Sequence, residues 1–284
     1  MSMSRKVLAP LGLVSLAILA LVACSAEEVA APGAEEDPGA ELDVQGEGNS
    51  AEALTERNNL RGADKMADKE LAMTFDDGPR ASSIELAQWL KDNGVISTFF
   101  MTGTSIVASE VQKGAPAKIA AMGHLIANHT YTHPITPSFA KLATSQMVDE
   151  IGKTDNLISA HIAQGAPSFL RTSGGSWSAG VQAALNGSDR TKHYIGNIYW
   201  DIGGDMADGY GADWACWGAK FKLTPEQCGD RYLKEIRDKK RGIVLLHDIH
   251  TKSQLMVKYM VPKLKAEGYK FVRLDAVKGL KPAN

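Results

Sequence analysis

The sequence predicts an α/β protein built around a mostly parallel sheet. Short apolar runs rich in β-branched or aromatic residues alternate with amphipathic stretches from residue 71 to residue 274. Many of the amphipathic stretches stop at a glycine, as at Gly94, Gly123, Gly165 and Gly268. Polar, chemically active residues gather where the apolar runs end. About seven such strand–helix units occupy about 215 residues of the 284-residue chain. An open doubly wound sheet and a closed barrel share this pattern, and both place chemistry at the C-terminal ends of strands.

The elements follow in order. LAMTF (71–75) reads as a first strand, and residues 81–93 as an amphipathic helix closed by Gly94. VISTFFM (95–101) is a second strand, 116–122 a helix stopped by Gly123, and HLIANH (124–129) a third strand. Residues 138–162 hold one or two helices. SFLR (168–171) is a strand, 179–185 a helix and HYIGNIYWDI (193–202) a strand. Thr224-Pro225-Glu226 joins an N-cap to a proline at the first helical position, and the helix it opens runs to about residue 240. GIVLLH (242–247) is strongly strand-like, 253–266 a helix containing Pro262, and YKFVRL (269–274) a last strand.

Upstream of this body lie two other segments. Arg5 and Lys6 precede an apolar run over 7–23, the pattern of a secretory signal. The run ends Leu21-Val22-Ala23-Cys24, which resembles a bacterial lipoprotein box, so cleavage before Cys24 and lipidation of Cys24 are expected. Ser25 after the cysteine resembles outer-membrane sorting in a Gram-negative envelope. The expected address is the cell envelope, lipid-anchored, facing periplasm or exterior. Residues 24–66 are rich in Ala, Glu, Gly and Pro and lack aromatics, which predicts a flexible acidic linker. The catalytic body is then 67–284.

Composition narrows the function. The apolar fraction is 44% and the net charge −2, so a globular core is expected and nucleic acid is not an expected partner. No glycine-rich fingerprint follows the first strand, so no nucleotide cofactor is expected. Three cysteines are present. With Cys24 lipidated, Cys216 and Cys228 are expected to pair as a disulfide in an oxidising compartment.

The strand ends carry the chemistry. Thr74-Phe75-Asp76-Asp77-Gly78-Pro79 closes the first strand and His129-Thr130-Tyr131-Thr132-His133-Pro134 the third. Arg171 closes the fourth, Trp200-Asp201 the fifth, with Asp205 beyond, and His247-Asp248 the sixth. Two histidines four apart with a nearby carboxylate suit a divalent ion such as zinc, with iron or cobalt as alternatives. Of two adjacent acids, one can ligate while the other takes a proton. His124, His161, His193 and His250 have no such partners in sequence and read as structural or solvent-facing.

These motifs resemble the polysaccharide deacetylase, or NodB homology, family, carbohydrate esterase family 4. The Thr-Phe-Asp-Asp-Gly-Pro and His-Thr-x-x-His-Pro motifs are complete here, in the family's order, and the likeness extends over roughly 68–280. The resemblance implies a distorted (β/α) barrel with about seven parallel strands. It implies Asp77, His129 and His133 as ligands of one divalent metal, zinc foremost, with cobalt or nickel behind it. It implies Asp76 as base, His247 as acid, Arg171 as the holder of the base, and Leu245 as a wall of the acetyl pocket. The family's third motif has an aromatic where this chain has Gly174, so Gly174 is expected to offer only backbone and Trp177 to replace the aromatic surface. The fourth motif is interrupted. Asp201 is the expected partner of His247, with Asp205 as the alternative, and Trp214 is expected to line the groove. The loop 203–220 reads as an insertion that reshapes one rim.

The expected reaction is removal of N-acetyl groups from an N-acetylglucosamine polysaccharide, peptidoglycan or chitin-like. O-acetyl ester hydrolysis on a glycan such as xylan is the alternative within enzymes. A carbohydrate-binding lipoprotein that has lost turnover is the alternative outside them. Oligomeric state is left open.

Overall fold

The computed structural model describes residues 59–280. The signal segment, Cys24 and most of the acidic linker lie outside the described residues. Among the described residues no helix is long and apolar enough to cross a membrane.

The chain runs β1 (Glu70–Asp76), α1 (Ala81–Asp92), β2 (Thr98–Met101), three short helices α2 (Gly103–Val107), α3 (Glu110–Lys113) and α4 (Ala115–Ala121), then β3 (Leu125–Asn128). It continues through α5 (Thr144–Ile158), β4 (Ser168–Phe169), α6 (Ala179–Asn186), β5 (Tyr194–Ile195) and α7 (Asp213–Cys216). It ends with α8 (Pro225–Lys239), β6 (Gly242–His247), α9 (Thr251–Ala266) and β7 (Lys270–Phe271).

Every strand pair is parallel. The main sheet runs β3-β2-β1-β6, with β7 also on β1, and β4 pairs with β5. Single bridges join these pieces into a ring: Asn128 with Leu170, and Ile202 with Val244. This is the distorted barrel expected.

Alternation along the strands sorts their side chains. Leu71, Met73 and Phe75 of β1 join Phe99, Met101, Ile126, Val244 and Leu246 in the core under the outer helices. Ala72, Phe100, Leu125, Ala127 and Ile243 pack in a second cluster with Phe169, Ile195 and Ile198, which fills the barrel interior. Both faces are buried, so parallel strands read as unbroken apolar runs. The same alternation puts Thr74 and Asp76 on the interior face of β1, and Leu245 and His247 on that of β6.

Two expectations change. The strand expected over 193–202 pairs with β4 only at Tyr194 and Ile195. The chain then leaves that ladder, bridges Leu60 at Ile198, and reaches β6 at Ile202. The run is largely apolar because residues 194–198 and 201–202 are buried and Tyr199 and Trp200 partly so, but it serves three partners in turn. The linker also ends earlier than expected. Gly62 and Met66 are buried and Leu60 is paired, so residues 59–66 belong to the folded body.

Local signals hold at α8. Thr224 caps it, Gln227 completes the capping box, and Pro225 sits at its start. Cys216 at the end of α7 is bonded to Cys228 in α8 with Cα atoms 6.0 Å apart. The bond ties the 203–220 loop to a packed helix. Replacing both cysteines by alanine should lower the unfolding free energy by about 3 kcal/mol, the loop-closure value for a loop of this length. Denaturant titration of the two proteins checks it; equal midpoints would contradict it.

Candidate metal centre

β1 pairs with β6 so that Asp76 lies opposite His247. β2 sets Met101 beside Asn128 of β3, and His129 follows. Three strand ends therefore deliver Asp76-Asp77, His129 and His247 to one place.

Asp76 is 2% exposed. Its Oδ1 accepts a hydrogen bond from Arg171 Nη1 at 2.6 Å. Arg171 is wholly buried and also donates to Thr74 Oγ1 at 2.9 Å and to the Ile198 carbonyl at 2.8 Å. Burial lowers the Arg171 pKa from its ordinary value, opposed by the charge of Asp76. A buried charge keeps its ionised form only with a partner of this kind.

Asp77 turns out of the strand at φ 74°, a left-handed conformation rare for non-glycine residues. Hydrogen bonds hold the turn. Ser105 Oγ donates to the Asp77 carbonyl at 2.8 Å and the Thr102 N–H to the Gly78 carbonyl at 2.9 Å. Thr102 is the N-cap of α2 and Ser105 lies within it. Gly78 is needed for space, because a Cβ there would lie 2.4 Å from a carboxylate oxygen of Asp248. That carboxyl is buried against the turn, and burial, with the charges of Asp77 and Asp76 adding to it, pushes its pKa up to about 7.

The histidine loop is held in the same manner. Thr130 and His133 have φ of 69° and 55°. Asn128 Oδ1 accepts from the Thr130 N–H at 2.9 Å. Glu150 of α5 accepts from the N–H groups of Tyr131 and Thr132 at 2.9 and 2.8 Å. The result points both imidazoles at Asp77.

His129 Nδ1 lies 2.8 Å from the Arg171 carbonyl, to which it can only donate. That fixes the tautomer and leaves Nε2 as a lone-pair donor, the usual support of a metal-bound histidine. His129 Nε2 lies 3.4 Å and His133 Nε2 3.2 Å from Asp77 Oδ1. Ligands about 2.1 Å from a common tetrahedral centre are about 3.4 Å apart, so the three atoms fit one ion. Asp77 Oδ1 is buried without a hydrogen-bond partner, as an oxygen reserved for a cation would be. Burial alone would raise the Asp77 pKa, but the His129 imidazole and the charges of His247 and His133 outweigh it and hold the carboxyl well below the usual range. The geometry of Asp77, His129 and His133 is consistent with a mononuclear metal site.

His247 is gripped by Asp213. Its N–H donates to Asp213 Oδ2 at 2.8 Å and its Nδ1 to Oδ1 at 2.7 Å. Asp213 is itself positioned by Tyr232, whose hydroxyl accepts from the Asp213 N–H at 3.0 Å and donates to the Leu245 carbonyl at 3.0 Å. Burial would lower the His247 pKa, but the Asp213 carboxylate raises it to about 10.

Asp213, not Asp201 or Asp205, is thus the partner of His247. Asp201 accepts from the N–H groups of Gly62 and Ile243 at 2.9 and 2.8 Å, joining two backbone segments at the start of β6. Asp205 is exposed and accepts from the Ala207 N–H. The signal for Asp213 was its place before Trp214, obscured by the inserted residues between. Trp177 also differs from expectation: it is half-buried and packs on the Phe139, Leu170 and Val181 cluster. Leu245 is 3% exposed on the inner face. Gly174 is exposed at φ 59°, and a Cβ there would meet Ile135 Cδ1 at 3.3 Å. Ile135 and Trp214 are 54% and 52% exposed, so apolar surface stands beside His133 and beside Asp213.

Residues 63–190 match the sequence model of the polysaccharide deacetylases. A peptidoglycan-N-acetylglucosamine deacetylase of Bacillus cereus is 30% identical over 204 residues, covering 70% of this chain and 67% of that protein. The chain belongs to the polysaccharide deacetylase family. The peptidoglycan-N-acetylglucosamine deacetylase PgdA of Listeria monocytogenes is 26% identical over 214 residues, or 75% of this chain. The match spans 40% of that relative's length. The solved chitin deacetylase of Colletotrichum lindemuthianum has the same fold, with a TM-score of 0.61 at 24% identity over 76% of this chain and 90% of its own.

Asp213→Asn removes the charge that raises the His247 pKa and leaves burial, which lowers it. The imidazole should then lose its proton at lower pH. NMR titration of the His247 ring in both proteins measures this; the same midpoint in each would contradict the assignment.

Proposed function

We propose that this chain is a metal-dependent deacetylase that removes N-acetyl groups from an N-acetylglucosamine polysaccharide, peptidoglycan or chitin-like. The observation that carries the reading is the placement of Asp76 and His247 at paired strand ends beside the three-ligand nest. The named activities of the relatives support the substrate class.

Asp77, His129 and His133 would hold the ion, and the nitrogen-rich donor set favours zinc, with cobalt or nickel behind it. When bound, such an ion supplies Lewis acidity toward a carbonyl and a lowered pKa for water. The chain's residues do the rest. Asp76 accepts the proton of the attacking water, its carboxylate oriented by Arg171. His247 donates a proton to the leaving nitrogen from the nitrogen not held by Asp213. The Gly174 N–H offers a donor to the developing oxyanion. Leu245 bounds the acetyl methyl, and Trp214 the sugar. The products are acetate and an amine.

The N-terminal segment supports an envelope address, with Cys24 lipidated in an outer membrane and residues between it and the body serving as a tether. The acetylated glycan is then the partner that this anchored domain reaches.

Acetate release from N-acetylglucosamine oligomers and from acetylated xylan, with and without chelator, tests the proposal. Metal-dependent release from the oligomers is expected, and Asp76→Asn should lower it at least about 100-fold, the low end for a general base. Release from xylan alone would favour the O-acetyl esterase reading. No release from either by metal-loaded protein would favour a carbohydrate-binding protein without turnover.

A further inference from the structure

The family match begins at residue 63 and ends at residue 190. Two segments beyond those limits meet behind Arg171. The Leu60 N–H donates to the Asn197 carbonyl and the Tyr199 N–H to the Leu60 carbonyl, both at 2.8 Å. Asn197 Nδ2 donates to Asn59 Oδ1 at 2.9 Å, and the Gly62 N–H to Asp201 Oδ2 at 2.9 Å. Residues 59–62 thus lie along 197–201 as a short strap.

Arg61 projects from this strap. Its guanidinium sits 4.5 Å from the Tyr199 ring centroid and donates to the Trp200 carbonyl. The Tyr199 and Trp200 rings stack at 3.9 Å and 13°. The Arg171 guanidinium lies 5.7 Å from the Trp200 centroid and 4.2 Å from that of Phe100. One column therefore runs Arg61, Tyr199, Trp200, Arg171, Phe100. Bare Gly175 lets it close, since a Cβ there would lie 2.6 Å from Tyr199 and 2.9 Å from Trp200.

The hydrogen bonds of Arg171 to Asp76, Thr74 and Ile198 lie near the guanidinium plane and set its rotation within that plane. They resist tilting weakly. The Phe100 and Trp200 rings, within cation–π reach of the guanidinium, add a restraint on that tilt. We propose that the strap at residues 59–62, acting through Arg61, Tyr199 and Trp200, is a positioning device that holds the plane of Arg171 and through it the Asp76 carboxylate. The strap lies beside the acidic linker in sequence, so residues next to the linker govern the base. The catalytic part of this inference rests on the deacetylase reading; the mechanical part does not.

The test uses the full chain with Arg61→Ala, Arg61→Lys, Trp200→Leu and Trp200→Phe. Solvent exchange of the Arg171 Nε–H is followed by NMR, beside the backbone amides of Phe99 and Ile126 in the distant part of the sheet. Loss of the Arg61 contact should speed Arg171 exchange about threefold and Trp200→Leu about thirtyfold, the size of one exposed and one buried cation–π contact. Arg61→Lys and Trp200→Phe should recover part of the protection, and the distant amides should not change. In the deacetylation assay kcat should fall with KM and bound metal unchanged. Unaltered Arg171 exchange in Arg61→Ala and Trp200→Leu overturns the proposal. So does an equal rise at all buried sites, which would mean a general loss of stability. If the wild type releases no acetate, the deacetylase reading fails while the exchange measurement still decides the strap.

Discussion

The buried pair of Arg171 and Asp76 is the constraint around which the site is arranged. Two charges out of water are tolerated only when their remaining donors and acceptors are met, and here Thr74 and the Ile198 carbonyl meet those of Arg171. Thr74 in turn donates to the Val244 carbonyl, so the pair is tied into β6 as well as β1. The Arg171 carbonyl accepts from His129. One residue thus orients Asp76 with its side chain and His129 with its backbone. Displacing it would disturb the orientation of both side chains at once.

Around that pair, strained turns are supported by neighbours rather than by local propensity. Asp77, Thr130 and His133 occupy left-handed backbone regions that cost of order 1–3 kcal/mol each. The compensation comes from α5 through Glu150, from α2 through Ser105, and from Asn128 at the end of β3. Asn128 also donates to Tyr194 Oη and to the Ile151 carbonyl, joining the histidine loop to β5 and α5. Rigidity at the ligands is imported from the scaffold.

Much of this was legible in the sequence because strand ends mark themselves. GIVLLH is a strand at the same residues in sequence and structure, since a strand buried on both faces is a plain apolar run. The ligand triad was legible because its members sit in two compact motifs. Asp213 was not, because its approach to His247 depends on how an inserted loop folds back over α8, and no local pattern encodes that path. Asp201 looked like the better partner because it ends an apolar run, yet the structure spends its carboxylate on two backbone amides. Trp177 looked like a surface aromatic, and a core cluster recruits it instead. The strap at residues 59–62 was hidden by composition, since its neighbours upstream are acidic and lack aromatics.

The register of Asp76 against His247 has a wider consequence. Neighbouring strands keep a separation of about 4.8 Å wherever backbone pairing persists. The backbone separation of Asp76 and His247 is therefore a property of the peptide lattice, while their side-chain directions are set by Arg171 and Asp213. Gly174, Ile135 and Trp214 lie outside that ladder, so side chains at the rim can differ without shifting the backbone positions of Asp76 and His247.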